Sequence, residues 1–229
     1  MKAVLLAAGK GERLGALSDA MPKPLLPVEG KPILEHHIEL CKCYGITELF
    51  INTHHLPDKI TSHFGNGGRF GVSITYSFEK ELLGTAGALN NFKDSLKGET
   101  FFVIYSDNVT DYNLKELLDF HKEKRGLATL ALFEKKNVES SGIAMLDSQG
   151  RVLRFMEKPK PGEVFSSLAN AGIYVLEPGI FEYIPQGFSD FGKDIFPKLL
   201  RAGERVFGMV MKGRLDAVDT LDLYERLKK

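Results

Sequence analysis

The sequence predicts a mixed α/β protein on a mostly parallel sheet with helices on both faces, and three observations predict it. Strand-like apolar runs alternate with helix-like segments as far as Phe133, the pattern of repeated strand-helix-strand units. Beyond Phe133 the rhythm changes to that of a hairpin, so antiparallel strands are expected in the second part. With 229 residues, 43% of them apolar, the chain is long enough to bury a sizeable core.

Element by element, Ala3–Ala8 reads as a buried first strand. A strand is expected here in place of a signal peptide, because the apolar stretch of MKAVLLAAGKGER ends after about six residues in Gly-Lys-Gly-Glu-Arg. A helix is expected over Pro32–Tyr44, a strand over Glu48–Thr53, a helix over Pro57–Phe64 and a strand over Val72–Tyr76. Thr85–Phe92 reads as helix, Phe101–Tyr105 as strand, Leu114–Lys124 as helix and Leu127–Phe133 as strand. Gly142–Asp147 and Arg151–Met156 flank Ser-Gln-Gly as a hairpin. Ala171–Leu176, the amphipathic Phe191–Ala202, Val206–Met211 and a helix near Leu221–Leu227 follow. Ligands of such sheets sit beyond the carboxyl ends of the strands, so the informative loops follow Ala8, Thr53, Tyr76 and Tyr105.

Charge narrows the classes of function. Thirty basic residues balance thirty acidic ones, for a formal net charge of zero. Such a chain has no general attraction for nucleic acid or acidic membranes. Its longest apolar runs are strand-length, far below the roughly 18 residues of a membrane helix, so a soluble protein without a membrane partner is expected. Cys41 and Cys43 point to different faces at helical spacing and read as reduced thiols of a cytoplasmic protein. Adjacent histidines also point apart, so His36-His37 and His54-His55 do not read as a metal site.

Two short stretches carry chemistry. Leu6-Ala-Ala-Gly-Lys-Gly-Glu-Arg-Leu14 follows the first strand, but Leu14 stands where a dinucleotide fingerprint requires a third glycine, and no Walker loop is present. What remains is a small-residue turn whose backbone N–H groups can approach phosphate, with Lys10 and Arg13 as cations; a tight structural turn accounts for it equally well. Prolines on both sides of Lys23 fix the backbone around that lysine, as they would around a solvated loop lysine.

Together, GKGERLGALSDAMPKPLLPV from Gly9 to Val28 resembles the signature of the sugar-1-phosphate nucleotidyltransferases. The resemblance continues through Ser77–Gly87 (SFEKELLGTAG), Ser106-Asp-Asn108, Glu157-Lys-Pro159, Asn170-Ala-Gly-Ile-Tyr174 and Phe191–Pro197 (FGKDIFP), in family order. ELLGTAGAL looks most like the mannose-1-phosphate guanylyltransferase branch.

The resemblance implies a Rossmann-like, GT-A-like nucleotidyltransferase fold: one catalytic domain over 1–229, with a nucleotide-binding half of about 1–133 and a sugar-phosphate-binding half of about 134–229. It implies an enzyme joining a nucleoside triphosphate to a sugar 1-phosphate with Mg²⁺ and releasing pyrophosphate. Leu6, Ala8, Gly9, Lys10 and Gly11 would bind the nucleotide, with the Gly9–Arg13 loop on the triphosphate, Arg13 on the leaving pyrophosphate and Lys23 on the reacting phosphates. Asp107 would bind Mg²⁺, although Ser106 stands where the family has glycine.

A second metal aspartate is expected from Arg214–Asp222, where the family's tryptophan is missing; Asp219 is preferred over Asp216. Glu157 and Asn170, with the backbone at Gly142, would contact sugar hydroxyls, and Lys158 the sugar phosphate. Gly84 and Thr85 would bring backbone close to the base. Glu79 or Glu81 would accept the two donors on guanine's pairing edge, which favours GTP. The C-terminal β-helix of larger relatives is not expected, and a homo-oligomer is left open.

Overall fold

The computed structural model describes residues 1–228. The elements begin with β1 (Lys2–Leu6), α1 (Ala16–Ala20), β2 (Pro27–Val28), β3 (Lys31–Pro32), α2 (Ile33–Cys43), β4 (Glu48–Thr53), α3 (Pro57–Phe64) and β5 (Ser73–Phe78). There follow α4 (Gly84–Gly87), α5 (Lys93–Leu96), β6 (Phe101–Tyr105), β7 (Asn108–Thr110), α6 (Leu114–Lys124), β8 (Ala128–Glu134), β9 (Gly142–Leu146) and β10 (Val152–Glu157). The chain continues through β11 (Leu168–Leu176), α7 (Phe196–Arg201), β12 (Val206–Val210), β13 (Leu215–Ala217) and α8 (Leu221–Leu227). Among the described residues no helix is long and apolar enough to cross a membrane.

The chain divides into two units, and its C-terminal segment belongs with its N-terminal one. The first comprises Met1–Leu82, Ile104–Tyr112 and Gly213–Lys229; the second comprises Leu83–Val103 and Asn113–Lys212. The reason is a strand pair that the sequence pattern hides. β13 runs antiparallel to β7, with Leu215 opposite Thr110 and Ala217 opposite Asn108, and so ties the C-terminal segment to the first unit.

Within the first unit, β1 and β4 pair in parallel from Lys2↔Glu48 to Leu6↔Asn52, and β4 and β5 from Glu48↔Ser73 to Thr53↔Phe78. The Ile104–Tyr105 end of β6 lies beside β1. These strand ends share one edge, where the loops expected to bind ligand depart. β1 and β4 are near-continuous apolar runs because strands covered on both faces have no solvent side to alternate with. α2 buries Ile33, Leu34, His37, Ile38 and Cys41, one stripe of a helix, and leaves Cys43 exposed.

Within the second unit, β9 and β10 form the expected hairpin, β8 pairs antiparallel with β11, and β12 runs parallel to β8. The β8–β11 register shifts between Asn170 and Tyr174, a bulge at which Gly172 takes φ 72°. Two expected helices are broken. Thr85–Phe92 lies across α4 and a 3₁₀ stretch, Ala88–Phe92. Phe191–Ala202 opens with a π-turn, Phe191–Ile195, before α7. Pro197 explains the second case: its ring crowds the carbonyl four residues back, and the wider turn relieves the clash.

Candidate active site

In the first unit, the turn after β1 is shaped by glycine. Gly11 takes φ 67°, and Gly15 φ 59° with ψ −139°, a region open essentially to glycine. Between them Glu12–Leu14 makes one 3₁₀ turn that leaves Arg13 exposed and buries Leu14. Gly9 and Lys10 are exposed, Ala8 is buried and Leu6 is half-buried at the strand end. A Cβ on Gly9 would meet nothing within 4 Å, so the backbone there faces open space.

Lys23 lies on another single 3₁₀ turn, Lys23–Leu25, and is only 8% exposed. Its Nζ is 3.1 Å from Asp219 Oδ1 and 3.7 Å from Asp107 Oδ2, and Arg13 Nη2 is 3.4 Å from the same Asp219 oxygen. Four residues from four separate stretches of sequence thus form one cluster of two cations and two carboxylates. Asp216 does not join it, because its carboxylate is paired with Arg214.

An apolar cluster beneath explains the convergence. Leu14, Leu26, Val28, Ile33, Val109, Val218 and Tyr224 pack together. Leu14 adjoins Arg13, Val109 follows Asp107 closely, and Val218 precedes Asp219, so burying these neighbours delivers the charged side chains. The Val218 N–H also donates to the Asp107 carbonyl at 3.0 Å. From α2, His37 Nε2 donates to the Asn108 carbonyl at 2.7 Å, and burial pushes the His37 pKa down from 6.5 to about 4.

The donor set suits magnesium. Asp107 and Asp219 are hard oxygen donors drawn together on one ammonium, and Mg²⁺ is commonly held by one or two carboxylates plus substrate phosphates. Among the described residues no group of three or more His, Cys, Asp or Glu is placed to cage an ion. The histidine pairs are engaged otherwise: His36 bonds the Val28 carbonyl, His54 the Glu79 carbonyl and His55 the Ser18 carbonyl, each at 2.8 Å.

Glu79 follows β5 and is buried, with Oε1 accepting from Asn52 Nδ2 at 2.8 Å, whereas Glu81 is exposed. Asn52 could not be singled out from the sequence, because an asparagine near the end of an apolar strand carries no motif.

The second unit holds the remaining expected residues. Glu157 ends β10 opposite Gly142, and burial pushes its carboxyl pKa up. A Cβ on Gly142 would come within 2.6 Å of Glu157 Oε2, and one on Gly192 would clash with the same oxygen, so both glycines make room for that carboxylate. Lys158 is exposed with φ 49°, and its N–H donates to the Ser141 carbonyl at 3.1 Å. At the bulge, Asn170 Nδ2 donates to Tyr174 Oη at 2.7 Å and Asn170 Oδ1 accepts the Gly172 N–H at 3.1 Å.

Thr85 is bound to Asp190. Its N–H and hydroxyl both donate to Asp190 Oδ1 at 3.1 Å, and its hydroxyl oxygen accepts the Phe191 N–H at 2.9 Å. Gly84 packs so closely that a Cβ would stand 2.5 Å from the Ser189 carbonyl oxygen. The glycines of this turn therefore serve contact with residues 187–190, which local spacing could not disclose.

A family model described as nucleotidyl transferase matches residues 2–226. Similar curated proteins include a UTP–glucose-1-phosphate uridylyltransferase of Synechocystis, 38% identical over 89% of this chain and 56% of that protein. Mannose-1-phosphate guanylyltransferase 1 of Arabidopsis thaliana is 36% identical over 93% of this chain and 60% of that protein. The chain spans less than two thirds of the length of these relatives. Its fold is similar to that of a Bacillus anthracis protein named as a candidate glucose-1-phosphate thymidylyltransferase and solved with sucrose, with a TM-score of 0.89 at 28% identity, covering 100% of this chain and 94% of that one. The match along nearly the whole sequence makes this chain a member of the nucleotidyl transferase family.

Proposed function

We propose that the protein forms a nucleoside diphosphate sugar and pyrophosphate from a nucleoside triphosphate and a sugar 1-phosphate, with GTP and mannose 1-phosphate as the leading pair. The carrying observation is the cluster in which Lys23 answers both Asp107 and Asp219 while Arg13 answers Asp219. A sugar-phosphate oxygen attacks the α-phosphorus, a new P–O bond forms, and the α–β anhydride bond breaks with its electron pair leaving on pyrophosphate. Three anionic groups must be held in line against their repulsion, so positioned cations supply most of the catalysis.

In this reading the open backbone at Gly9, with Lys10 and Gly11, receives the triphosphate where β1 ends between Leu6 and Ala8. Arg13 steadies the pyrophosphate and Lys23 neutralises the reacting phosphates. Asp107 and Asp219 would hold Mg²⁺, which when bound withdraws charge from the phosphate oxygens. Glu157 and Asn170, beside Gly142, suit a polyol, since a carboxylate accepts hydrogen bonds and an amide both accepts and donates; Lys158 takes the sugar phosphate.

Of the two carboxylates considered for the base, Glu81 is exposed and is assigned guanine's N1–H and N2–H₂. Similarity to mannose-1-phosphate guanylyltransferases supports this pair. Similarity to the Synechocystis uridylyltransferase favours a second reading, UTP with glucose 1-phosphate.

The test is pyrophosphate release from the four common triphosphates, each with mannose 1-phosphate and glucose 1-phosphate, with and without Mg²⁺. The expected result is Mg²⁺-dependent release, highest with GTP and mannose 1-phosphate. Highest release with UTP and glucose 1-phosphate selects the second reading. No activated sugar from any combination overturns the activity, and leaves a protein that binds nucleotide sugars without making them.

A further inference from the structure

Asn52 is the penultimate residue of β4, where its register partner in β1 is Leu6 and in β5 is Ser77. Its side chain joins the segments that follow those two strands. Oδ1 accepts the Ala7 N–H at 2.8 Å, and Nδ2 donates to Glu79 Oε1 at 2.8 Å. Both residues are almost fully buried, Asn52 at 3% exposure and Glu79 at 2%. The Glu79 main chain is fixed as well: its N–H donates to the Thr53 carbonyl and its own carbonyl accepts from His54 Nδ1, each at 2.8 Å.

A side-chain amide suits this place. Ala7 presents a donor and Glu79 an acceptor, so the group between them must accept with one atom and donate with the other. Those two partners also set which way the amide points. Aspartate has the same shape but would set carboxylate against carboxylate, and leucine would take the acceptor from the buried Ala7 N–H and one donor from the buried Glu79 carboxylate. Buried polar groups are often no more stabilising than apolar ones of the same volume. What this pair provides is a fixed direction for the Ala7 N–H, just before Gly9 and the glycine-shaped turn.

We propose that Asn52 is a positioning residue for nucleotide binding: anchored by the Glu79 carboxylate, it fixes the Ala7 N–H and so the backbone from which the Gly9–Arg13 turn departs. The proposal rests on the reading of that turn as the triphosphate site. It gives Glu79 the part of an anchor and leaves contact with the base to Glu81.

Exchanging the two groups tests it. Asn52→Asp keeps the acceptor for Ala7 but opposes Glu79 with a second charge. In Asn52→Asp/Glu79→Gln the amide stands on the other side, and the carboxylate introduced on β4 no longer faces a like charge. Dissociation constants for GTP and UTP are measured by calorimetry at neutral pH, well below each variant's melting temperature. The single variant is expected to bind both nucleotides at least about tenfold more weakly than the parent, and the double variant to return within about threefold, as like-charge repulsion is removed.

A single variant that binds within about twofold of the parent, or a double variant no better than the single, overturns the proposal. A purely structural role gives the first of these outcomes with a lowered melting temperature. Should Asn52→Asp fail to fold, the double variant decides alone: parent-like affinity supports the proposal and lost affinity overturns it. A parent that binds neither nucleotide overturns the reading of the turn, and this proposal with it.

Discussion

At Lys23 a single buried ammonium answers two carboxylates, and the sequence around it explains how. Pro22 and Pro24 hold the backbone, so the side chain reaches one point rather than sampling many. A charge so placed needs no reorganisation when phosphate arrives. Lys23→Ala and Arg13→Ala are each expected to lower the rate of pyrophosphate release by roughly 10²–10³. A variant that stays within about fivefold of the parent removes that residue's role.

His37 makes a different kind of prediction. Burial holds its folded-state pKa near 4, against 6.5 when exposed, so between those values the unfolded chain binds a proton that the folded protein does not. Stability is therefore full above pH 6.5 and falls as the pH drops toward 4. His37→Gln, which can still donate to the Asn108 carbonyl, is expected to lose about 3 kcal/mol less than the parent over that interval in denaturant titrations. Equal losses would mean that His37 takes up its proton in the folded state.

The elements show how short pieces of structure bring charge together. Each stretch that carries a site residue has an apolar neighbour in the cluster of Leu14, Leu26, Val28, Val109 and Val218. The charged side chains are carried by the packing of their neighbours and not by mutual attraction, since the exposed Arg13–Asp219 pair contributes little to stability and the pairing of buried Lys23 is offset by its desolvation. Leu14→Ala is expected to cost about 2–5 kcal/mol in denaturant unfolding. It is also expected to weaken nucleotide binding well below the melting transition, because Leu14 fixes the turn that carries Arg13. Unchanged affinity in the folded variant would separate the turn's geometry from this cluster. The π-turn over Phe191–Ile195 obeys the same logic, with Pro197 widening a turn beside Gly192, where room is left for Glu157.

At the scale of the molecule, balanced charge means that any polyphosphate is held by local geometry and not by a general field. The first unit gathers three separated stretches of chain, Met1–Leu82, Ile104–Tyr112 and Gly213–Lys229. Segments that pack together tend to open together. Native-state hydrogen exchange is therefore expected to give β13 and β7 the same opening free energy as β1, and β13 exchanging independently of β1 would contradict this division.

The strands Glu48–Thr53 and Phe101–Tyr105 and the helices Pro57–Phe64 and Leu114–Lys124 were legible to the residue, because apolar periodicity is set by which face each side chain must bury. The hairpin of β9 and β10 was legible for the same reason. Arg13, Lys23 and Asp107 could be named from motifs written along the chain, whereas the stretch near the C-terminus left Asp219 and Asp216 both open.

Other features had no local signal. β7 and β13 are three residues each and lie about a hundred residues apart, so neither shows a period and only their pairing makes them strands. That pairing separates Asp219, which meets Lys23, from Asp216, which meets Arg214. Asn52 and Asp190 likewise gained their parts from distant partners, Ala7 and Glu79 in one case and Thr85 in the other. The sequence by itself determined those helices and strands whose apolar periodicity runs long enough to read, and which residue types could handle phosphate. Only the tertiary structure decided which of those residues meet, because a contact between distant segments depends on the burial of whole elements and leaves no trace in the spacing of either one.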